Sequence, residues 1–408
     1  ICSDEHYAAA KKIGEDGIVL LKNDASTLPI RLEECRNILV VGENAIKRMT
    51  VGGGSSSLKA QHEISPMDGI KARLQGTGIN IDYARGYVGD LGNSHRGVTT
   101  GQDLSDPRSP EELTAEAVEK AKQADVVIYI GGLNKAHHND CEGFDREQYG
   151  MPYGQDELIE ALVAANPRLV VVNISGNAVA MPWAKKVPAI LQDWYLGSEA
   201  GTSLAAVLVG DENPSGHLPM TWYASLDQCS VHAPVLKEGK KLVADPRRYP
   251  GIARTDTVPN IWNIYYDEGI YVGYRYIDKQ KLTPLFPFGH GLSYTSFEYM
   301  ASNTIKSGDG YDVVFTVMNT GKYDGAEVSE IYVGEKNPCV VRPAKELKGF
   351  AKTFIPKGKA AKVTVHLPKS AFEYYDVKSH SWTLNPGYFT IYIGSSSADI
   401  RLTEEVLM

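Results

Sequence analysis

Pro110-Glu-Glu-Leu-Thr-Ala-Glu-Ala-Val-Glu-Lys-Ala-Lys-Gln-Ala-Asp-Val-Val-Ile-Tyr-Ile130 contains the two periods on which the first half of the chain is built. Residues 110–123 have helical spacing. Val126-Val-Ile-Tyr-Ile130 is a continuous, β-branched apolar run, the pattern of a parallel strand covered on both faces. Moving outward, Gln155 to Ala165 and Ser198 to Val209 repeat the helical spacing, while Leu169–Asn173 and Ala189–Asp193 read as strands. On the N-terminal side Ile79–Tyr83, Ile38–Gly42 and Ile18–Lys22 are further strands, preceded by a helix over Ser3 to Ile13. Ser3 followed by Asp4 and Glu5 suits a helix N-cap with an acidic first turn, where carboxylates offset the exposed amide donors. Strand and helix in repetition predict an α/β layered sandwich with a mostly parallel sheet over residues 1–225.

The pattern changes after that. Residues 226–296 lack a clear period and are rich in Pro, Tyr and Asp, so they read as an extended linker; an ordered connection of such length usually serves a site or an interface. From 297 to 408 the chain shows alternating runs, among them Tyr311–Met318, Val328–Val333, Lys362–Leu367 and Tyr388–Ile393. Asn319-Thr-Gly321, Pro356-Lys-Gly358 and Asn385-Pro-Gly387 punctuate them as turns. Such grammar predicts an all-β sandwich of immunoglobulin-like type. No repeat with a fixed period of 20 to 50 residues is visible, which argues against a solenoid or propeller.

Composition narrows the function. The 408 residues are 43% hydrophobic, enough for two or three cores, and the formal net charge is −8 without a basic block that could neutralise phosphates. Nucleic acid is therefore a poor partner and a neutral or polar ligand a better one. No run approaches the roughly 20 apolar residues of a membrane helix, so no membrane association is expected. The five scattered cysteines, Cys2, Cys35, Cys141, Cys229 and Cys339, form neither a disulfide framework nor a zinc pattern. Reduced thiols favour a cytoplasmic setting over a secreted one, although a chain that had lost its leader would carry the same residues.

The densest chemistry is Ala136-His-His-Asn-Asp-Cys-Glu-Gly-Phe-Asp-Arg146, directly after the strand ending at Ile130. Loops beyond strand C-termini are where open α/β sheets bind ligands. A metal site of His137, His138, Asp140 and Cys141 is one reading, weakened because adjacent histidines diverge and no second ligand group has metal spacing. A solvated polar loop is another. The third is that Glu142 donates a proton to a leaving-group oxygen, with Gly143 allowing a tight turn and an Asp145–Arg146 pair fixing the loop. The Gly52-Gly-Gly-Ser-Ser-Ser57 loop lacks the Gly-Lys-Ser/Thr ending of a phosphate cradle, so nucleotide binding is not indicated.

Glu142-Gly-Phe-Asp-Arg146, followed by Met151-Pro-Tyr-Gly-Gln-Asp-Glu-Leu-Ile159, resembles the acid/base block of glycoside hydrolase family 3 β-glucosidases. Gly17-Ile-Val-Leu-Leu-Lys-Asn23, Gly52-Gly-Gly-Ser-Ser56, Trp194–Gly201, Gly210–Pro219, Tyr266–Tyr276, Pro284–Tyr294 and Arg342–Phe350 are similar to that family in the same order. The resemblance covers nearly the whole chain. It implies an α/β sandwich bearing the acid/base, then a fibronectin type III-like domain. It also implies retaining hydrolysis of a β-linked glucoside or oligosaccharide, with no metal or other cofactor.

Carried over residue by residue, the resemblance makes Glu142 the general acid/base, with Asp140 a lesser rival. Ser55 and Ser56 border the sugar site, and Asp140 and Arg146 are further candidates for sugar contact. His290 reads as part of a packed junction. The nucleophilic aspartate of the family usually lies in Ser-Asp-Trp on a barrel of about 250 residues; this chain contains neither. Gln192-Asp-Trp194 occurs at a strand end, so Asp193 reads as structural. The expected partner is therefore a barrel domain of the same enzyme, before or after this segment, and homo-oligomers are compatible with the sequence. β-Xylosidase, α-arabinofuranosidase and a non-catalytic carbohydrate-binding module are the competing readings.

Overall fold

The computed structural model describes residues 2–50, 53–55, 57–89, 101–136, 138–142, 146, 148–230 and 268–408, and the backbone of 252–254 and 262–264. It divides into two compact units. One holds residues 1–217 with 291–294, and the other holds 218–290 with 295–408.

In the first unit α1 (Asp4–Gly17), β1 (Val19–Asn23), β2 (Asn37–Val41), α2 (Pro66–Leu74) and β3 (Asn80–Ala84) are followed by α3 (Pro110–Ala121) and β4 (Val126–Gly132). Then come α4 (Gln155–Ala165), β5 (Leu169–Ile174), β6 (Ala189–Gln192) and α5 (Ala200–Val209). The six strands form one sheet in the order β1-β6-β5-β4-β2-β3. All neighbours are parallel except β1, which runs antiparallel to β6 at the edge.

Strand alternation explains why the central strands are apolar throughout. Ile38, Val40, Ile128, Ile130, Val170 and Val172 pack with Met67, Ile70 and Leu74 of α2 and Leu204, Val207 and Leu208 of α5. Their neighbours Leu39, Val41, Val127, Tyr129 and Val171 are equally buried. By the two-residue period they point to the other face, where α3 and α4 pack together. Each such aliphatic side chain stabilises the fold by about 1.5–3 kcal/mol relative to exposure.

Two features of this unit were absent from the sequence reading. Helix α2 is only nine residues long and carries Gly69 in its middle, which weakens its apolar period; Gly69 stands where a Cβ would fall 2.0 Å from the carbonyl oxygen of Gly201. The antiparallel direction of β1 is a second, because an apolar run carries no sign of its direction. Helix α1 also runs four residues beyond Ile13, to Gly17.

The second unit opens with the backbone pair β7 (Ile252–Arg254) and β8 (Trp262–Ile264) and with α6 (Tyr274–Gln280). Its sandwich comprises β9 (Phe297–Ser307), β10 (Gly310–Asn319), β11 (Gly325–Glu335), β12 (Glu346–Ile355), β13 (Ala360–Leu367), β14 (Tyr374–Asp376), β15 (Ser381–Thr383), β16 (Tyr388–Gly394) and β17 (Ile400–Leu407). The antiparallel sheets β13-β10-β9 and β12-β11-β16-β17 close on a core of alternating residues that includes Val313, Phe315, Ile331, Val333, Val365, Phe389 and Ile391. In the same unit the His290 ring lies on Phe286, centroids 5.1 Å apart and planes 22° apart. Among the described residues no helix is long and apolar enough to cross a membrane.

Candidate active site

The strand order places the ends of β2, β4, β5 and β6 side by side, so the loops that follow these four parallel strands meet along one edge. At Gly42, with φ +118°, a Cβ would fall 2.1 Å from the Ile130 carbonyl oxygen, so the chain leaving β2 passes directly over the end of β4. The loop from β4 to α4 carries Glu142. Gln155, fully buried at the start of α4, closes its base: Oε1 accepts from Tyr129 Oη at 2.7 Å and Gly132 N–H at 2.8 Å. Its Nε2 donates to the Gly132 and Pro152 carbonyls, both at 2.8 Å. Further along, Asn139 Nδ2 donates to Tyr153 Oη at 3.0 Å.

Glu142 is exposed, and the loop after β2 grips it. Its backbone N–H donates to the Gly53 carbonyl at 2.9 Å. Its Oε2 accepts from the Ser55 N–H at 2.6 Å and from the Ser55 hydroxyl. Gly54 has φ +104°, and a Cβ there would fall 2.5 Å from Glu142 Cβ, so the close approach requires glycine. The serine expected to border a ligand is thus seated on the candidate acid itself. Ser56 lies outside the described residues.

Asp140 is partly buried and surrounded by donors. Oδ2 accepts from Gly176 N–H at 2.7 Å and Tyr195 Oη at 2.9 Å, and Oδ1 from Asn177 Nδ2 at 3.0 Å. These reach it from the loops after β5 and β6, so Asp140 ties three loops together. Burial, then Asp140, push the Tyr195 phenol well above its ordinary pKa, keeping it a donor. Arg146 donates through Nη2 to Asn177 Oδ1 at 2.6 Å and the Ala178 carbonyl at 2.7 Å, anchoring the far end of the Glu142 loop to the same segment. The pairing of Arg146 with Asp145 expected from sequence lies outside the described residues, as do Gly143 and His137. Of the remaining side chains in the metal reading, His138 is exposed and Asp140 is engaged by its three donors.

Asp193, just beyond β6, is 1% exposed, and burial raises its pKa well above the ordinary carboxylate value. It lines a water-sized cavity of about 20 Å³ with Asn44, Lys47 and Glu63. Sequence reasoning missed Tyr195, Asn177 and Lys135. Tyr195 and Asn177 follow strands β6 and β5 directly, and the rule that singled out the loop after β4 applies to them equally.

Comparison with known proteins completes this picture. A β-glucosidase of Bacteroides ovatus is 42% identical over 412 residues, covering 99% of this chain and 52% of its own length. The thermostable β-glucosidase B of Acetivibrio thermocellus is 35% identical, covering 99% and 48%. An exo-α-(1→6)-L-arabinopyranosidase of Bifidobacterium breve is also 35% identical, covering 99% and 49%. The crystal structure of a family 3 β-glucosidase from Bifidobacterium adolescentis superposes with a TM-score of 0.83 at 33% identity, covering 100% of this chain and 54% of that one. That of DesR, a β-glucosidase from Streptomyces venezuelae in complex with D-glucose, reaches 0.84 at 29% identity, covering 98% and 60%. The chain spans about half the length of the curated relatives it matches. Residues 327–397 match a fibronectin type III-like domain, and residues 18–294 match the glycosyl hydrolase family 3 C-terminal domain. With that match extending over more than half of its length, the chain belongs to glycosyl hydrolase family 3.

Proposed function

We propose that this chain supplies the acid/base half of a retaining β-glucosidase site, with Glu142 as the proton-transferring residue. The nucleophilic aspartate then comes from a barrel domain outside these 408 residues, since the sequence contains no Ser-Asp-Trp. In the first step Glu142 protonates the departing glycosidic oxygen as the nucleophile attacks. In the second it takes a proton from water as the glycosyl-enzyme is hydrolysed. Retention requires the two carboxyl groups to lie about 5–5.5 Å apart.

The grip of Ser55 on Glu142 Oε2 is the observation that carries this reading. A hydroxyl both donates and accepts, so Ser55 can serve a carboxylate in one half-reaction and a carboxylic acid in the other. The Ser55 N–H, a donor only, fixes position. Ser55→Ala is expected to lower kcat about 10-fold while leaving KM within twofold, measured on an aryl β-glucoside; unchanged kcat contradicts a role for the hydroxyl.

Asp140 is read as a positioning residue because its acceptors hold three loops. Asp140→Asn places an amide N–H among donors, and is expected to lower kcat about 10-fold by the same factor for good and poor leaving groups. A loss concentrated on poor leaving groups would transfer the acid role from Glu142 to Asp140. A panel of nitrophenyl glycosides on the complete protein tests the substrate class, with fastest turnover expected on the β-glucoside. A second reading, distinct from the α-arabinofuranosidase raised by the sequence, is an α-L-arabinopyranosidase, because a relative of that activity is 35% identical, the same figure as for one of the β-glucosidases. Preference for the α-L-arabinopyranoside in the same panel would select it.

A further inference from the structure

Lys135 lies on the Glu142 loop, three residues after Gly132 at the end of β4, and its side chain is partly buried. Its stem packs against Gly53, where a Cβ would sit 3.4 Å from both Lys135 Cβ and Cδ. Gly53 is also the residue whose carbonyl receives the Glu142 N–H. The lysine and the candidate acid therefore flank one backbone position.

The ammonium lies 5.4 Å from the centroid of the Tyr195 ring. Among the described residues it has neither a hydrogen-bond acceptor nor an ion-pair partner. The two acids whose charge reaches it, Glu63 and Asp140, are already engaged. Glu63 accepts from the Met49 N–H at 2.6 Å, the Thr50 N–H at 3.0 Å and the Thr50 hydroxyl. Asp140 holds its three donors. Burial accordingly draws the lysine pKa below its ordinary 10.5. A partly desolvated ammonium with three N–H donors is costly without acceptors. A ligand that brings neutral oxygen acceptors would supply them.

We propose that Lys135 donates hydrogen bonds to hydroxyl oxygens of the leaving-group sugar, making it a specificity residue for saccharide over aryl leaving groups. The inference rests on the acid/base reading of Glu142: a group that protonates the glycosidic oxygen stands at the leaving-group side of the bond, so the residue sharing its backbone support borders the sugar that departs. A hydrogen bond to a charged donor is worth roughly a 10-fold change in affinity or more.

The test is calorimetric binding of two non-hydrolysable ligands, thiocellobiose and phenyl thioglucoside, to the complete protein and its Lys135→Met and Lys135→Arg variants. Lys135→Met should bind thiocellobiose about 10-fold more weakly and phenyl thioglucoside within twofold of wild type, with Lys135→Arg recovering part of the loss. In parallel, KM for cellobiose should rise while kcat holds. Equal weakening for both ligands would show a structural role and overturn the proposal, as would unchanged thiocellobiose binding. If Glu142→Ala still shows a leaving-group-dependent loss in that case, the Lys135 proposal alone fails. A wild-type protein that binds neither ligand overturns the glucosidase reading and this inference together.

Discussion

Replacing Glu142 by alanine in the complete protein is expected to slow cleavage of cellobiose by about 100- to 10,000-fold, the usual contribution of a positioned general acid. For an activated aryl β-glucoside, whose leaving group departs without help, the first step should be nearly unaffected. Turnover then becomes limited by hydrolysis of the glycosyl-enzyme, which lacks its base, so KM should fall together with kcat. The geometry predicts that the rest of the site survives the change. Gln155, Asp140 and Arg146 hold the loop at other points, and Ser55 loses a partner in an exposed position where water can replace it. Loss of equal size on both substrates, in steady-state assays across a leaving-group series, contradicts the assignment.

The second large effect lies in the sandwich. Glu327 and Glu330 on β11 are 8% and 5% exposed. Glu327 faces the interior and accepts from Tyr299 Oη at 2.8 Å, with Ser329 Oγ donating to the same phenol oxygen at 3.0 Å. Glu330 accepts from Tyr332 Oη. Desolvation dominates over these hydrogen bonds and raises both carboxyls from 4.5 to about 7. The folded state thus keeps protons that the unfolded chain releases above pH 4.5. The contribution of these two groups to stability is fully present below that value, falls as pH rises towards about 7, and is level above it. The loss is roughly 3 kcal/mol for each group at most. Urea unfolding of the sandwich, followed by hydrogen exchange at β11, should give a lower midpoint at pH 8 than at pH 5. Glu327→Gln, which keeps an acceptor for Tyr299 but cannot ionise, should remove about half of that difference. An identical pH dependence in the variant contradicts the account.

The legible parts of the molecule were those in which local pattern and tertiary role coincide. Val126–Ile130 and Leu169–Asn173 are buried on both faces and read as such without any knowledge of their neighbours. The alternation of Val313, Phe315 and Val317 likewise marks one side of a strand whose inner face is core. The position of Glu142 was legible from the motif around it and from the strand it follows.

What surrounds Glu142 was not legible. Ser55 is 87 residues away in sequence and Tyr195 is 55 residues from Asp140. They meet because β6, β5, β4 and β2 are consecutive in the sheet, an order fixed by crossovers and not by any local signal. Lys135 escaped notice for a related reason. A lysine in a polar loop looks solvated until the glycine loop after β2 is laid over its stem and Tyr195 beneath its ammonium.

Azide distinguishes whether Glu142 transfers the proton in a double displacement. With Glu142→Ala, an activated aryl β-glucoside still forms the glycosyl-enzyme, and azide needs no general base to attack it. Azide should accelerate turnover, and nuclear magnetic resonance should identify the product as β-glucosyl azide. Formation of the α-azide, or turnover indifferent to azide, would contradict proton transfer by Glu142.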